Sequence, residues 1–116
     1  MSHLARTGTS VKRIHDMDRV RLERALPHRV RYRYVQPHIE AAEDGVGWLV
    51  MSPCCSRNID PEGGVIAIAW FEPSEGGWSL YHRDHQQDRW VLHEQAPHIQ
   101  PLLDELCVDP QRVFWP

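Results

Sequence analysis

The sequence predicts an α+β fold: an N-terminal helix, a five-stranded antiparallel meander sheet, and a C-terminal helix with an aromatic tail docked on the body. Two segments with apolar residues every three or four positions stand at the two ends of the chain. Between them, five short segments alternate with period two or are continuously apolar, and turn-forming residues separate them. The 116 residues, 41% of them hydrophobic, can furnish one core. We therefore predict a mobile arm over residues 1–10 and a single α+β domain over residues 11–116.

The first helix and the first strand are separated by a proline. Apolar residues recur at helical spacing over residues 11–26. Pro27 ends this helix because proline disfavours helical geometry in the residue before it. The period then changes to two over Val30–Val35, which predicts a strand. Pro37 marks an edge position or bulge, and we expect the strand to resume over residues 38–41.

Four further strands, a second helix and the tail follow. The strands are predicted at Trp48–Met51, Val65–Phe71, Trp78–His85 and Arg89–His93. The run Val65–Phe71 is apolar without interruption, and we expect a central strand that is covered on both faces. Residues 52–64 form a long loop, and long ordered loops often carry function. The second helix is predicted over His98–Cys107, and the aromatic pair Phe114-Trp115 is expected to dock because it would otherwise favour aggregation.

The charge of the chain is divided between its two parts. Residues 1–37 carry nine Lys and Arg against three acidic residues, whereas residues 38–116 carry four against thirteen. Such a division is typical either of a nucleic-acid-binding surface or of two segments that lie together and neutralise each other. We favour the second interpretation. No run approaches the roughly 20 apolar residues of a membrane span, so we expect no membrane contact. Three cysteines and no secretory signal indicate a cytoplasmic protein.

Several segments of the chain are similar to a known family. They are Ile66–Phe71, Trp78–His85, Arg89-Trp90, Leu102–Leu106, Asp109-Pro110 and Val113–Trp115. Together they resemble the small bacterial proteins of the domain-of-unknown-function family 3024, over residues 20–116. The resemblance implies a small cytoplasmic bacterial protein. It implies no particular reaction.

A zinc site is one hypothesis for the long loop. Cys54 and Cys55 lie in this loop, and four further potential ligands lie downstream: His82, His85, His93 and Cys107. Thiolates and imidazoles together suit zinc. Adjacent cysteines, however, point to opposite sides of an extended backbone. We therefore expect no cofactor, and we keep zinc on Cys54, Cys55 and His85 as the alternative.

The same loop could supply a nucleophile. Cys54 or Cys55 would be activated by His85, which Asp84 or Asp60 would orient. The residue types suit this chemistry, but a chain of this size leaves little room for a substrate pocket. We expect a protein without enzymatic activity, with cysteine-dependent catalysis as an alternative.

Nucleic-acid binding is a further hypothesis. Arg29, Arg31 and Arg33 alternate with apolar and aromatic residues and could follow the phosphates of a single strand. Tyr32 and Tyr34 would face away from these arginines, so one of the two sets belongs to the core. The acidic remainder of the chain also disfavours phosphate binding.

Protein interaction requires the fewest assumptions. The strand pattern places most of the five tryptophans in the core. An aromatic-rich sheet with a free edge can nevertheless pair with a second copy or with another protein. We therefore expect an accessory or interaction module that has a protein partner or associates with itself.

Overall fold

The computed structural model describes residues 17–30, 33, 35–42, 46–54 and 62–115, and it confirms the predicted α+β fold. The helices are α1, residues 17–25, and α2, Gln100–Val108. The strands are β1 (His38–Ala41), β2 (Trp48–Pro53), β3 (Val65–Ser74), β4 (Gly77–Asp84) and β5 (Arg89–Ala96). They form one antiparallel sheet in the order β1-β2-β3-β4-β5, the predicted meander. The predicted arm and the predicted first turns of α1 lie outside the described residues.

One face of the sheet packs against both helices. The α-helical part of α1 stops before Leu26, and a 3-10 turn, Leu26–His28, contains Pro27. Leu22 and Leu26 are buried in the same hydrophobic core as the strands and α2. From α2 and the tail, this core takes Ile99, Leu102, Leu103, Leu106, Phe114 and Trp115. The docked aromatic tail is therefore confirmed. No helix among the described residues is long and apolar enough to cross a membrane.

The apolar run of β3 has an explanation different from the one that the sequence predicted. Val50 pairs with Ala69 and Met51 pairs with Ala67, so Ile68 is an extra residue in a β-bulge. The bulge shifts the alternation, and Ile68 and Ala69 are both buried in the core. Side chains from the parts of β3 before and after the bulge thus point into the same core. The expectation of a strand covered on both faces is wrong.

A second bulge lies in β5, which is an edge strand of the sheet. Leu80 pairs with Glu94 and Tyr81 pairs with Leu92, which leaves His93 as the extra residue of β5. The ring of His93 lies against Phe114 of the tail, with 4.9 Å between the ring centroids. This bulge therefore directs a titratable side chain towards α2 and the tail.

The strand predicted over Val30–Val35 is wrong for the described residues of that segment. Residues 30 and 35 are bends and residue 33 lies in a turn, so the first strand begins only at His38. The backbone N–H of Val30 donates to the carbonyl of Cys107 over 2.8 Å, which ties this segment to the end of α2. Tertiary contacts thus override a local pattern of period two.

Candidate functional site

Four side chains from four neighbouring strands form a row on the face of the sheet opposite the core. Leu49 pairs with Trp70, Trp70 pairs with Tyr81, and Tyr81 pairs with Leu92. Directly paired residues project to the same side of an antiparallel sheet. Arg83 pairs with Trp90 beside this row. We call the surface that these six residues form the aromatic face.

The rings of the aromatic face are in contact with one another. Trp70 and Tyr81 stack with centroids 4.6 Å apart and planes inclined by 23°. Trp90 lies 6.0 Å from Trp70, and the guanidinium carbon of Arg83 lies 5.0 Å from the Trp90 ring. Stacked and tilted pairs at these distances stabilise each other. The face is therefore a continuous surface of three rings and one guanidinium.

Hydrogen bonds hold the polar atoms of these rings in place. Trp70 Nε1 donates to the carbonyl of Val46 over 2.9 Å, and the Tyr81 hydroxyl donates to Glu72 Oε1 over 2.9 Å. Burial and the hydrogen bond to Glu72 raise the pKa of Tyr81, so the hydroxyl keeps its proton. The exposed parts of these half-buried rings remain for contact with another molecule.

The aromatic face is partly accessible and its surroundings are acidic. Trp70, Tyr81 and Trp90 are half-buried, whereas Leu92 is 50% exposed. Arg83, the arginine of the aromatic face, forms an ion pair with Asp88. A second carboxylate, Glu72, lies beside the face and accepts the hydrogen bond of the Tyr81 hydroxyl. The local field therefore favours cations over phosphates.

Three of the five tryptophans lie in the core or pack against it, in agreement with the prediction that most of them are core residues. Trp48 and Trp115 are buried in the core. Trp78 is partly buried and packs against the core, while Trp70 and Trp90 lie on the aromatic face. The alternation of Tyr81 and Arg83 with core residues of β4 was the signal for this face. The strand pattern of the sequence did not separate Trp70 and Trp90 from the core tryptophans.

Two of the predicted zinc ligands lie at one end of the sheet. Cys54 follows β2, is buried, and donates its backbone N–H to the carbonyl of Gly64 over 2.9 Å. His85 follows β4, and β3 lies between these two strands. Two strand spacings amount to about 10 Å between the backbones of the two strands. Cys55 lies outside the described residues.

The described part of the chain holds no group of three or more His, Cys, Asp or Glu residues placed to bind a metal. Burial and then the charge of Arg83 lower the pKa of His85. Asp84, the predicted orienting residue, instead accepts the backbone N–H groups of Gln86 and Gln87 over 3.2 and 3.1 Å. Asp60 lies outside the described residues. Zinc binding and cysteine catalysis both stay predictions.

Of the three arginines predicted to bind nucleic acid, the two that the structure describes, Arg29 and Arg33, do not lie in a strand. Arg29 is buried and donates to the carbonyls of Leu26 and Val35 over 2.9 and 2.6 Å. Its guanidinium carbon also lies 5.3 Å from the centroid of the Trp115 ring. Arg33 is exposed, and Arg31 lies outside the described residues. Arg29 therefore has a structural role, and nucleic-acid binding through this segment stays a prediction.

A family model for a domain of unknown function, DUF3024, matches residues 10–116. No curated protein and no solved structure matches the chain. The match extends over nearly the whole chain, including the aromatic face and the docked tail, and it confirms the resemblance seen in the strand and tail segments. The chain belongs to the DUF3024 family of domains of unknown function.

Proposed function

We propose that this protein is an interaction module that binds another protein through the aromatic face. The observation that carries the proposal is the row of contacting rings, Trp70, Tyr81 and Trp90, on the side of the sheet opposite the core. Tryptophan, tyrosine and arginine are the residues that contribute most to binding energy at protein interfaces. The aromatic face combines all three types with the exposed Leu92.

The internal bonds of the face support this function because they reduce the cost of binding. Glu72 and the Val46 carbonyl already hold the polar atoms of Tyr81 and Trp70. A partner therefore meets rings whose conformations are already restricted, and little side-chain entropy is lost on association. Such a surface favours apolar side chains and cations that pack on ring faces.

Charge identifies the chemistry of the partner. Arg83 has a carboxylate partner in Asp88, and a second carboxylate, Glu72, lies beside the face. We therefore propose a protein segment that presents apolar and basic side chains, and we disfavour a nucleic acid. The family resemblance and the three cysteines of the chain support a location in the bacterial cytoplasm.

Peptide selection tests this function. Random dodecamer peptides are selected on the wild-type protein, and their dissociation constants are measured by fluorescence polarisation at physiological salt. We expect enrichment of basic and apolar sequences, and we expect Trp90→Ala to weaken their binding by about tenfold or more. Leu92→Lys, at an exposed position, should have a similar effect without loss of folding, because it removes an apolar contact and adds a positive charge that repels a basic peptide. Val108→Ala is the matched control, because Val108 is 51% exposed on α2.

Three results would contradict the proposal. The first is that the selected peptides bind Trp90→Ala and Leu92→Lys as tightly as they bind the wild type. The second is that an oligothymidylate binds the wild type more tightly than the best peptide. The third is a dimer in sedimentation velocity that Leu92→Lys dissociates, since the aromatic face would then be occupied by a second copy.

A further inference from the structure

A cleft between α1 and β1 lies at the edge of the sheet opposite β5. Its volume is about 330 Å³, within the range of small-molecule sites in proteins. Leu26, Pro37 and Ile39 contribute apolar wall, and Arg19 and Glu23 contribute opposite charges. We propose that this cleft binds a small zwitterion with an apolar side chain, of the α-amino acid type. The proposal is independent of the aromatic face.

Arg19 is held in position at the cleft. Its Nε donates to Glu23 Oε1 over 3.0 Å, and its Nη2 donates to the backbone carbonyl of Ile39 over 3.3 Å. Its guanidinium carbon also lies 5.7 Å from the centroid of the Trp48 ring. A guanidinium with a restricted orientation can receive a carboxylate at low entropic cost.

The pair of opposite charges matches a zwitterion better than a simple anion. Arg19 and Glu23 are both about half exposed, and an exposed pair of this kind contributes little to stability, so a ligand can compete for either member. A carboxylate alone would meet Arg19 but would be repelled by Glu23. An α-amino acid carries its ammonium one carbon atom from its carboxylate, so Glu23 and Arg19 can be satisfied together.

Arg29 and the apolar wall complete the match. Arg29 also lines the cleft and adds a second positive charge. Two arginines and one glutamate give the cleft a net positive charge, which attracts the carboxylate of the ligand more strongly than its ammonium. Leu26, Pro37 and Ile39 offer contact to an aliphatic side chain, whose burial is favourable. In this proposal, two of the basic residues in the segment 1–37, Arg19 and Arg29, bind a small ligand rather than a nucleic acid.

The test compares four ligands by NMR titration of the backbone amides of the wild-type protein. L-leucine carries all three features, leucinamide lacks the carboxylate, 4-methylpentanoate lacks the ammonium, and glycine lacks the apolar side chain. We expect L-leucine to give saturable shifts at Ile39 within about 10 mM, a range suited to a ligand of so few atoms. The other three compounds should bind at least about tenfold more weakly.

Variants assign the effect to the two charges. Arg19→Gln and Glu23→Gln should each weaken L-leucine binding by about tenfold. Arg24→Gln is the matched control, because Arg24 is exposed on the same helix and does not line the cleft. The proposal is overturned if L-leucine leaves Ile39 unperturbed, if 4-methylpentanoate binds as tightly as L-leucine, or if both glutamine variants bind like the wild type.

Discussion

The carboxylate of Asp109 accepts a hydrogen bond from the backbone N–H of Trp115, with 3.2 Å between Oδ2 and N. The same carboxylate accepts the N–H groups of Val113 and Phe114 over 2.8 and 3.3 Å. Asp109 is fully buried, follows the last residue of α2, and has a left-handed backbone conformation with φ of 47°. The backbone of Asp109 therefore ends the helix, and its side chain fixes the tail that contributes two aromatic rings to the core.

Removal of this carboxylate should destabilise the whole fold. We expect Asp109→Ala to lower the free energy of unfolding by about 3 kcal/mol, because it leaves several buried N–H groups without their acceptor. Asp109→Asn keeps one acceptor oxygen and should lie between alanine and the wild type. Urea denaturation measures both. Asp104→Ala, on the exposed side of α2, is the control and should change stability by less than about 0.5 kcal/mol. Equal losses in the two alanine variants would contradict this role.

Alanine substitutions at Gly47 and Gly76 separate two costs of replacing a glycine: backbone strain at positive φ, and a clash with a neighbouring backbone. Both have positive φ, +90° and +80°. A Cβ on Gly47 would lie 2.0 Å from the carbonyl oxygen of Phe71, whereas a Cβ on Gly76 would meet no atom within 4 Å. Gly76→Ala should therefore cost only the conformational strain, about 1 kcal/mol. Gly47→Ala must also displace β2 from β3 and should cost about 3 kcal/mol or more. Thermal unfolding of the two variants checks the difference.

The order of strands could be predicted because each strand carries its own turn signals. The two-residue turn before Gly77 and the alternation in β4 both follow from local sequence. The bulges at Ile68 and His93 could not be predicted in the same way, since a bulge depends on the register of the neighbouring strand. A continuous apolar run is consistent with a strand that is buried on both faces. It is equally consistent with a strand in which a bulge changes which alternate side chains face the core.

The aromatic face and the cleft show the same limit of local sequence. Trp70 lies in an apolar run and has a large side chain of the kind that is usually buried. Only its pairing with Tyr81 and Leu49 places it on the outer face. Arg19 and Ile39 lie 20 positions apart and meet only because β1 packs beside α1. Both sites are therefore products of tertiary structure, although the residue types were visible in the sequence.

Arg29 and Arg33 should respond differently to the same substitution. Arg29→Gln removes a buried guanidinium from two carbonyl oxygens, and we expect a loss of about 2–3 kcal/mol in urea denaturation. Arg33→Gln, at an exposed position, should stay within about 0.5 kcal/mol of the wild type. A nucleic-acid role for both would instead give equal losses of oligonucleotide affinity with unchanged stability, which gel-shift titration would reveal.

Because of His82, the free energy of unfolding should decrease in mild acid, where histidine side chains take up a proton. Burial lowers the pKa of His82 below the usual histidine value of 6.5, and the neighbouring His93 lowers it further. The two rings lie 6.0 Å apart, and Phe114 lies 6.2 Å from His82. Asp84 and Asp109 oppose the shift without reversing it, and Glu105 bonds to His93 over 3.0 Å.

The sign of the effect follows from proton binding. Below pH 6.5 the unfolded chain takes up a proton that the folded protein resists, so the free energy of unfolding falls as the pH is lowered. One such group contributes a slope of at most about 1.4 kcal/mol per pH unit. We expect His82→Gln to reduce this slope between pH 6.5 and pH 5 in urea denaturation. His85→Gln is the comparison, because burial lowers the pKa of His85 as well and a second contribution of the same sign is expected. A slope that His82→Gln leaves unchanged would show that other groups govern the acid response.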